Sequence, residues 1–185
     1  PKQAALTHQL SLDLDGEPCE LSYTLSDLRT EGICRYRYAD ANCYDYLLAW
    51  IEHLALQSLA LASQNGSYSF KANSYWHFRD RCLELPPIVD AQEQLISLLK
   101  RYRDGLSAPL RFFPKSAWAY ISKGRSLAAA SEAWYSSDYN AFGEGDDPAY
   151  QLALRGLDDP FDDEFEHHAE AVFGGLHDTL GACEP

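Results

Sequence analysis

Asp27, Arg35 and Arg37 come closer than any other residues in this chain to a catalytic arrangement. They lie in Leu21 to Asp40, LSYTLSDLRTEGICRYRYAD. Two runs rich in Tyr, Thr, Leu and Ile flank Thr30-Glu31-Gly32, and Gly32 can take the positive φ that a three-residue hairpin loop needs. With position 31 as the pivot, Asp27 is expected opposite Arg35, and Leu25 opposite Arg37. A carboxylate on one strand and an acidic-x-lysine triplet on the next can hold Mg²⁺ for phosphodiester hydrolysis: the carboxylates bind the ion, and the lysine orients water and offsets the developing charge. In this chain the triplet reads Arg35-Tyr36-Arg37. Asp27 fits the first carboxylate position, but Arg35 stands where the second belongs. At ~4 Å and an effective dielectric of ~20 one unit charge acts on another with about 4 kcal/mol, and a divalent ion doubles this. Arg37 stays protonated at ordinary pH and cannot act as a base. Loss of metal binding is therefore expected, with Asp27 and Arg35 paired across the strands, and no cofactor is implied. An active Mg²⁺-dependent nuclease using Asp27 with Asp13 or Asp15 stays open as the alternative.

Other clusters carry less chemistry. Asp158, Asp159, Asp162, Asp163, Glu164, Glu166, His167 and His168 have metal-ligand residue types, but acids in a first helical turn suit the positive end of the helix dipole, and adjacent histidines face different directions. His53 and His77 read as packed or hydrogen-bonded. No Ser/His/Asp or Cys/His set has the local context of nucleophilic catalysis. The loop Gly143-Glu144-Gly145-Asp146-Asp147-Pro148 carries carboxylates that repel phosphate. A stretch with cations and aromatic rings interleaved, containing Arg101, Arg103, Arg111, Phe112, Phe113, Lys115 and Trp118, is the candidate for contact with a partner or with DNA. The alternative is that its rings are core and its cations solvate a helix face.

The elements that must position these residues follow from periodicity. Leu6 to Leu14 alternates as a half-buried strand, and Asp15-Gly16 is a turn, so the first forty residues read as three consecutive strands of one antiparallel sheet. From Asn42 the period becomes helical, and Leu47, Leu48, Trp50, Ile51, Leu54, Leu56, Leu59 and Leu61 predict a central helix buried on several sides. Gly66 ends it. Strands are expected within Ser67–Arg79 and over Cys82–Leu85. Beyond Pro86-Pro87 the chain turns helical, with Asp90 and Glu93 opening one helix, Ser116 and Ser126 capping two more, and a last apolar stripe of Phe161, Phe165, Ala169, Val172, Phe173, Leu176 and Leu180.

The chain has 185 residues, 46% of them hydrophobic, which suffices for the core of one domain over 1–185. A net charge of −13 argues against a freestanding nucleic-acid binder, which needs surplus Lys and Arg. The five cysteines are odd in number and lack C-x-x-C spacing, which fits a reducing cytoplasm better than a disulfide framework. No long uncharged apolar run indicates a membrane span. A start at Pro1 and the absence of Met read as a fragment of a longer protein.

Several stretches together resemble one family: Leu28-Arg29 with Arg35-Tyr36-Arg37, Ala49-Trp50-Ile51-Glu52-His53-Leu54-Ala55-Leu56, Pro109-Leu110-Arg111-Phe112-Phe113-Pro114-Lys115-Ser116-Ala117-Trp118-Ala119-Tyr120, and Gly143-Glu144-Gly145-Asp146-Asp147-Pro148-Ala149-Tyr150 continuing to Leu154-Arg155-Gly156. In this order the chain is similar to the C-terminal domain of the gamma chain of bacterial exodeoxyribonuclease V, the RecC family. The resemblance implies an α/β (α+β) fold with a restriction-endonuclease-like (PD-(D/E)xK) core: a mainly antiparallel N-terminal sheet, a buried central helix and a helical C-terminal half. It also implies lost catalysis at Asp27, Arg35 and Arg37. As partners it implies RecB-like and RecD-like helicase subunits, with DNA reached through the full complex in recombinational repair. A binding module unrelated to DNA is a further possibility.

Overall fold

The computed structural model describes residues 2–62, 70–138, 140–157 and 159–181. Gly66, Asp158 and Cys183 lie outside them. The structure is mixed α/β and divides into two compact units, Pro1–Lys100 with Asp178–Pro185 and Arg101–His177.

In the first unit β1 (Leu6–Leu14) and β2 (Glu17–Leu25) pair antiparallel around the Asp15-Gly16 turn, with Leu6 opposite Leu25. Leu10, Leu12 and Leu14 are buried, as alternation requires. These two strands form a sheet of their own. The expected single sheet is broken at Asp27, whose φ of 57° turns the chain out of β2. A left-handed conformation is one that Asp tolerates better than most residues.

The second sheet has the order β3 (Leu28–Arg29), β4 (Gly32–Tyr36), β5 (Asn73–His77), β6 (Cys82–Leu85). It is not antiparallel throughout, because β4 and β5 run parallel. The crossover between them contains α1 (Cys43–Ala62), which begins where Asn42 Oδ1 accepts from the backbone N–H of Tyr44 (3.0 Å) and Asp45 (3.3 Å). Leu28, Ile33, Leu25, Ala55, Leu56 and Leu59 form a core between strands and helix, each buried leucine contributing about 1.5–3 kcal/mol. Leu48, Ile51 and Leu61, expected inside, are exposed. α1 therefore buries a broad face rather than its whole circumference.

The register of the β3–β4 hairpin differs by one residue from the expected one. Leu28 faces Ile33 and Arg29 faces Gly32, so Thr30-Glu31 alone form the turn and Leu25 is in another strand. Gly32 is the first residue of β4. Its φ is 122°, and a Cβ there would overlap the carbonyl oxygen of Asn73. Glycine is needed for the close approach of β5 rather than for the loop.

His53, fully buried on α1, joins the helix to this sheet. The Pro86 carbonyl can only accept, so Nε2–H donates to it (3.0 Å), and Nδ1 accepts from the Ser74 hydroxyl (2.9 Å). Burial pushes its pKa from 6.5 down to about 4. The folded chain keeps His53 neutral where the unfolded chain protonates it, so its contribution to stability is full above pH 6.5 and is lost as pH falls towards 4. The shift corresponds to about 3 kcal/mol over that window. Chemical denaturation of wild type and His53→Gln between pH 7 and pH 4 should show a steeper decline in the wild type, and parallel curves would contradict this assignment.

Packing in the second unit centres on Phe113. Its ring lies 4.4 Å from Trp134, 5.2 Å from Tyr150 and 5.9 Å from Phe165, centroid to centroid. Around it stand α3 (Pro114–Ser122), α4 (Leu127–Trp134), α5 (Pro148–Ala153) and α6 (Asp163–Ala169); the preceding helix, α2 (Ala91–Ser107), contains the boundary between the units. A π-helical turn, Glu170–Gly174, follows α6. The apolar stripe is observed, with Phe165, Ala169, Phe173 and Leu176 fully buried. Ser126 caps α4 by accepting from Ala129 N–H (3.3 Å). Ser116 does not cap α3; it lies in that helix's first turn, and its N–H donates to a side chain that comes from far along the chain.

Candidate functional site

β4 places Arg35 on the same face as Ile33, towards α1, and there the side chain reaches two carboxylates. Nε and Nη2 donate to Glu52 Oε2 and Oε1, both at 2.7 Å, in a two-bond fork. Nη1 donates to Asp27 Oδ2 at 2.9 Å. The guanidinium also lies 5.5 Å from the ring centroid of Trp76, its neighbour on β5. Asp27 takes a second cation, Lys2. The Asp27–Arg35 pair is therefore present although the two are not opposite in the ladder. The left-handed turn at Asp27 and the length of the arginine side chain close the gap.

Glu52 is the residue that pattern reasoning missed. It is the only acid in the apolar run Leu47–Leu61, and a lone carboxylate in such a run signals a buried partner. Arg37, just past the end of β4, pairs with Asp45, seven residues before Glu52 on α1. Asp45 is buried and also accepts from Asn42 N–H (3.0 Å). Both arginines of the triplet are thus matched by acids two turns apart on one helix, and the strand and helix are tied together by charge.

The electrostatics favour the ionised form of Asp27. The hydrogen bond from Lys2, then the charges of Lys2 and Arg35, hold the Asp27 carboxyl below its ordinary 3.8, against the opposing effect of burial. This contribution is present above pH 3.8 and is lost as pH falls through the lower folded value. With Arg35 and Lys2 against Asp27 and Glu52, the formal charge of the cluster sums to zero, so a divalent ion would meet no excess negative charge. Asp13 and Asp15 are not brought to it. Asp13 Oδ1 accepts from Gly16 N–H (2.8 Å) in the β1–β2 turn, and Asp15 pairs with Lys100. In the register that sets Leu6 against Leu25, the turn is about 25 Å along the strands from Asp27.

The basic aromatic stretch is occupied largely by its own unit. Arg111 pairs with Asp162 (2.7 Å) and Glu164 (3.7 Å) and donates to the Asp159 carbonyl. Arg101 meets Asp104 and His167, and Arg103 meets Asp104. Phe112 and Trp118 pack on Phe173, while Phe113 is buried. The side chain of Lys115 is exposed. In the acidic segment Asp162 caps α6 by accepting from Phe165 N–H (3.1 Å), and Glu166 accepts from the Tyr120 hydroxyl (2.6 Å).

Flanking glycines predict a loop around a further carboxylate. Glu144, 4% exposed, accepts from Lys115 N–H (Oε1, 3.0 Å) and Ser116 N–H (Oε2, 2.8 Å) at the N-terminus of α3.

The family model of the RecC C-terminal domain matches residues 1–125, which include Asp27, Arg35, Arg37 and Glu52. The chain belongs to the RecC C-terminal domain family. Over 166 residues it is 26% identical to the RecBCD enzyme subunit RecC of Escherichia coli (strain K12), an alignment covering 80% of this chain. It covers 14% of that relative's length, so the comparison concerns a small part of the longer protein. Within this RecC C-terminal domain the Arg35 cluster lies inside the family match, and the Glu144 cap lies beyond its end at residue 125. Among the described residues no helix is long and apolar enough to cross a membrane.

Proposed function

We propose that this chain is a nuclease-like, non-catalytic domain of a longer subunit. In this reading it works as scaffold with RecB-like and RecD-like helicase subunits in a cytoplasmic exodeoxyribonuclease V complex that processes double-strand DNA ends for recombinational repair. The observation that carries the reading is Arg35, whose guanidinium sits between Asp27 and Glu52 where a metal-dependent nuclease would gather carboxylates around an ion. The succession β3, β4, α1, β5, with β4 parallel to β5, supports a PD-(D/E)xK-like core. No disulfide joins Cys19, Cys34, Cys43 and Cys82 to one another, which accords with a reducing compartment. DNA is reached through the assembled complex rather than by this acidic chain alone.

Incubation of the purified chain with end-labelled linear duplex and Mg²⁺ or Mn²⁺ is expected to leave the DNA intact, and calorimetric titration with either ion is expected to show no specific binding. Metal-dependent cutting that Asp27→Ala abolishes would overturn the reading.

A further inference from the structure

A surface groove of the second unit lies between α3 and α4 and holds about 580 Å³. Its floor is made of methyl groups from Ala119, Ala128, Ala129 and Ala133. On one side stand Lys115, in the first turn of α3, and Lys123, its C-cap, about 12 Å apart along the helix. On the other stands Glu132 of α4. Phe142 lies at the edge of the groove and is 82% exposed. The segment before it is fixed by the Asn140 side-chain amide, which donates to the carbonyls of Glu132 and Tyr135 (both 3.2 Å).

The charge on this rim is unusual for the molecule. The chain carries −13, and its cations are mostly matched with acids. Among the described residues Arg29, Lys115, Lys123 and Arg155 are the cations outside any ion pair. Two of these four flank the alanine floor. Small side chains between two helices admit the large apolar side chains of a third helix. Two unmatched lysines two turns apart select the sign of its flank.

We propose that the α3–α4 groove docks an acidic amphipathic helix from a partner polypeptide, its large apolar residues on Ala119, Ala129 and Ala133 and its carboxylates two turns apart on Lys115 and Lys123. A basic residue on its other edge meets Glu132. This surface is independent of the fate of the metal site.

The test uses the purified chain and a labelled helical peptide of about four turns, with leucines on one face and glutamates spaced to meet the two lysines. Its twin carries lysines in place of the glutamates. Fluorescence anisotropy is expected to give at least about tenfold tighter binding of the glutamate peptide, the span of two ion pairs made rather than two repulsions. Lys115→Glu with Lys123→Glu should invert the preference. Ala128→Trp, at an exposed position, and Ala129→Trp should each abolish binding while circular dichroism shows the fold retained. Equal affinity for the two peptides, or binding indifferent to both tryptophan variants, overturns the proposal. So does sedimentation as a dimer that Ala128→Trp dissociates, which would assign the groove to a second copy. A labelled single-stranded oligonucleotide bound through the same lysines would assign it to nucleic acid and equally overturn the proposal.

Discussion

Arg35→Ala is expected to destabilise the first unit by about 3 kcal/mol, because it leaves Glu52 and Asp27 facing each other with their shared cation removed. The side chain is only 23% exposed, and its fork to Glu52 and single bond to Asp27 are charge-assisted. The loss should be read by urea denaturation at neutral pH. Arg35→Lys retains the charge but not the fork, and is expected to lose roughly half as much. Arg35→Met combined with Glu52→Leu should recover most of the stability, since removing both charges leaves no buried ion unmatched, while Lys2 still serves Asp27. The sharper outcome concerns metal. In Arg35→Ala the two carboxylates lose their shared cation and only Asp27 keeps one, Lys2, so millimolar Mn²⁺ should raise the melting temperature of the variant by about 2–4 °C per kcal/mol of binding. The wild type should not respond. An equal Mn²⁺ shift in both proteins would mean that the ion has a seat beside Arg35, contrary to the scaffold reading. A stable variant indifferent to Mn²⁺ would mean that the three side chains are not coupled as their distances require.

Much of this cluster was legible in the sequence and part of it was not, for identifiable reasons. The pairing of Asp27 with Arg35 was expected from a hairpin register that proved one residue out. The sequence reads Gly32 as a loop residue because loops favour glycine, whereas it is required by the approach of the parallel strand β5. Parallel pairing through a crossover leaves no local mark near Gly32, so nothing within ten residues could reveal it. The pair survived the error because a guanidinium on a long side chain tolerates a displacement that a backbone register does not. Glu52 and Asp45 are different. They sit on a helix whose existence was plain from its period, but their partners are set by which face of α1 meets β4. The apolar positions Leu48 and Ile51 were misjudged for the same reason: a helix rich in leucine all round does not declare which side is wet.

In the second unit the largest effect is expected at Glu144. Gly143-Glu144-Gly145 reads as an open acidic loop, yet its carboxylate is buried and closes the first turn of α3, which has Phe113 at its N-cap and no side-chain cap of its own. Four backbone N–H groups at a helix start lack partners within the helix; here two of them, on Lys115 and Ser116, donate to one carboxylate. The negative charge also meets the positive end of the helix dipole. The flanking glycines allow the approach, since a Cβ at Gly143 would overlap the Trp134 carbonyl oxygen and one at Gly145 the Trp134 ring. Glu144→Ala is expected to cost about 3 kcal/mol, from two charge-assisted hydrogen bonds lost, with the Ser116 donor left buried and the Lys115 donor part-buried. Glu144→Gln keeps one acceptor but turns an amide N–H₂ towards the second donor, and should cost about 2 kcal/mol. Because Phe113 immediately precedes the capped turn and packs on Trp134 at 4.4 Å, the loss should appear as earlier unfolding followed by tryptophan fluorescence. Glu144→Asp separates geometry from charge: one methylene shorter, it keeps the charge but cannot span both donors, so it should fall between wild type and alanine. Equal stability of Glu144→Ala and wild type would show that α3 is held by the packing of Phe113 alone.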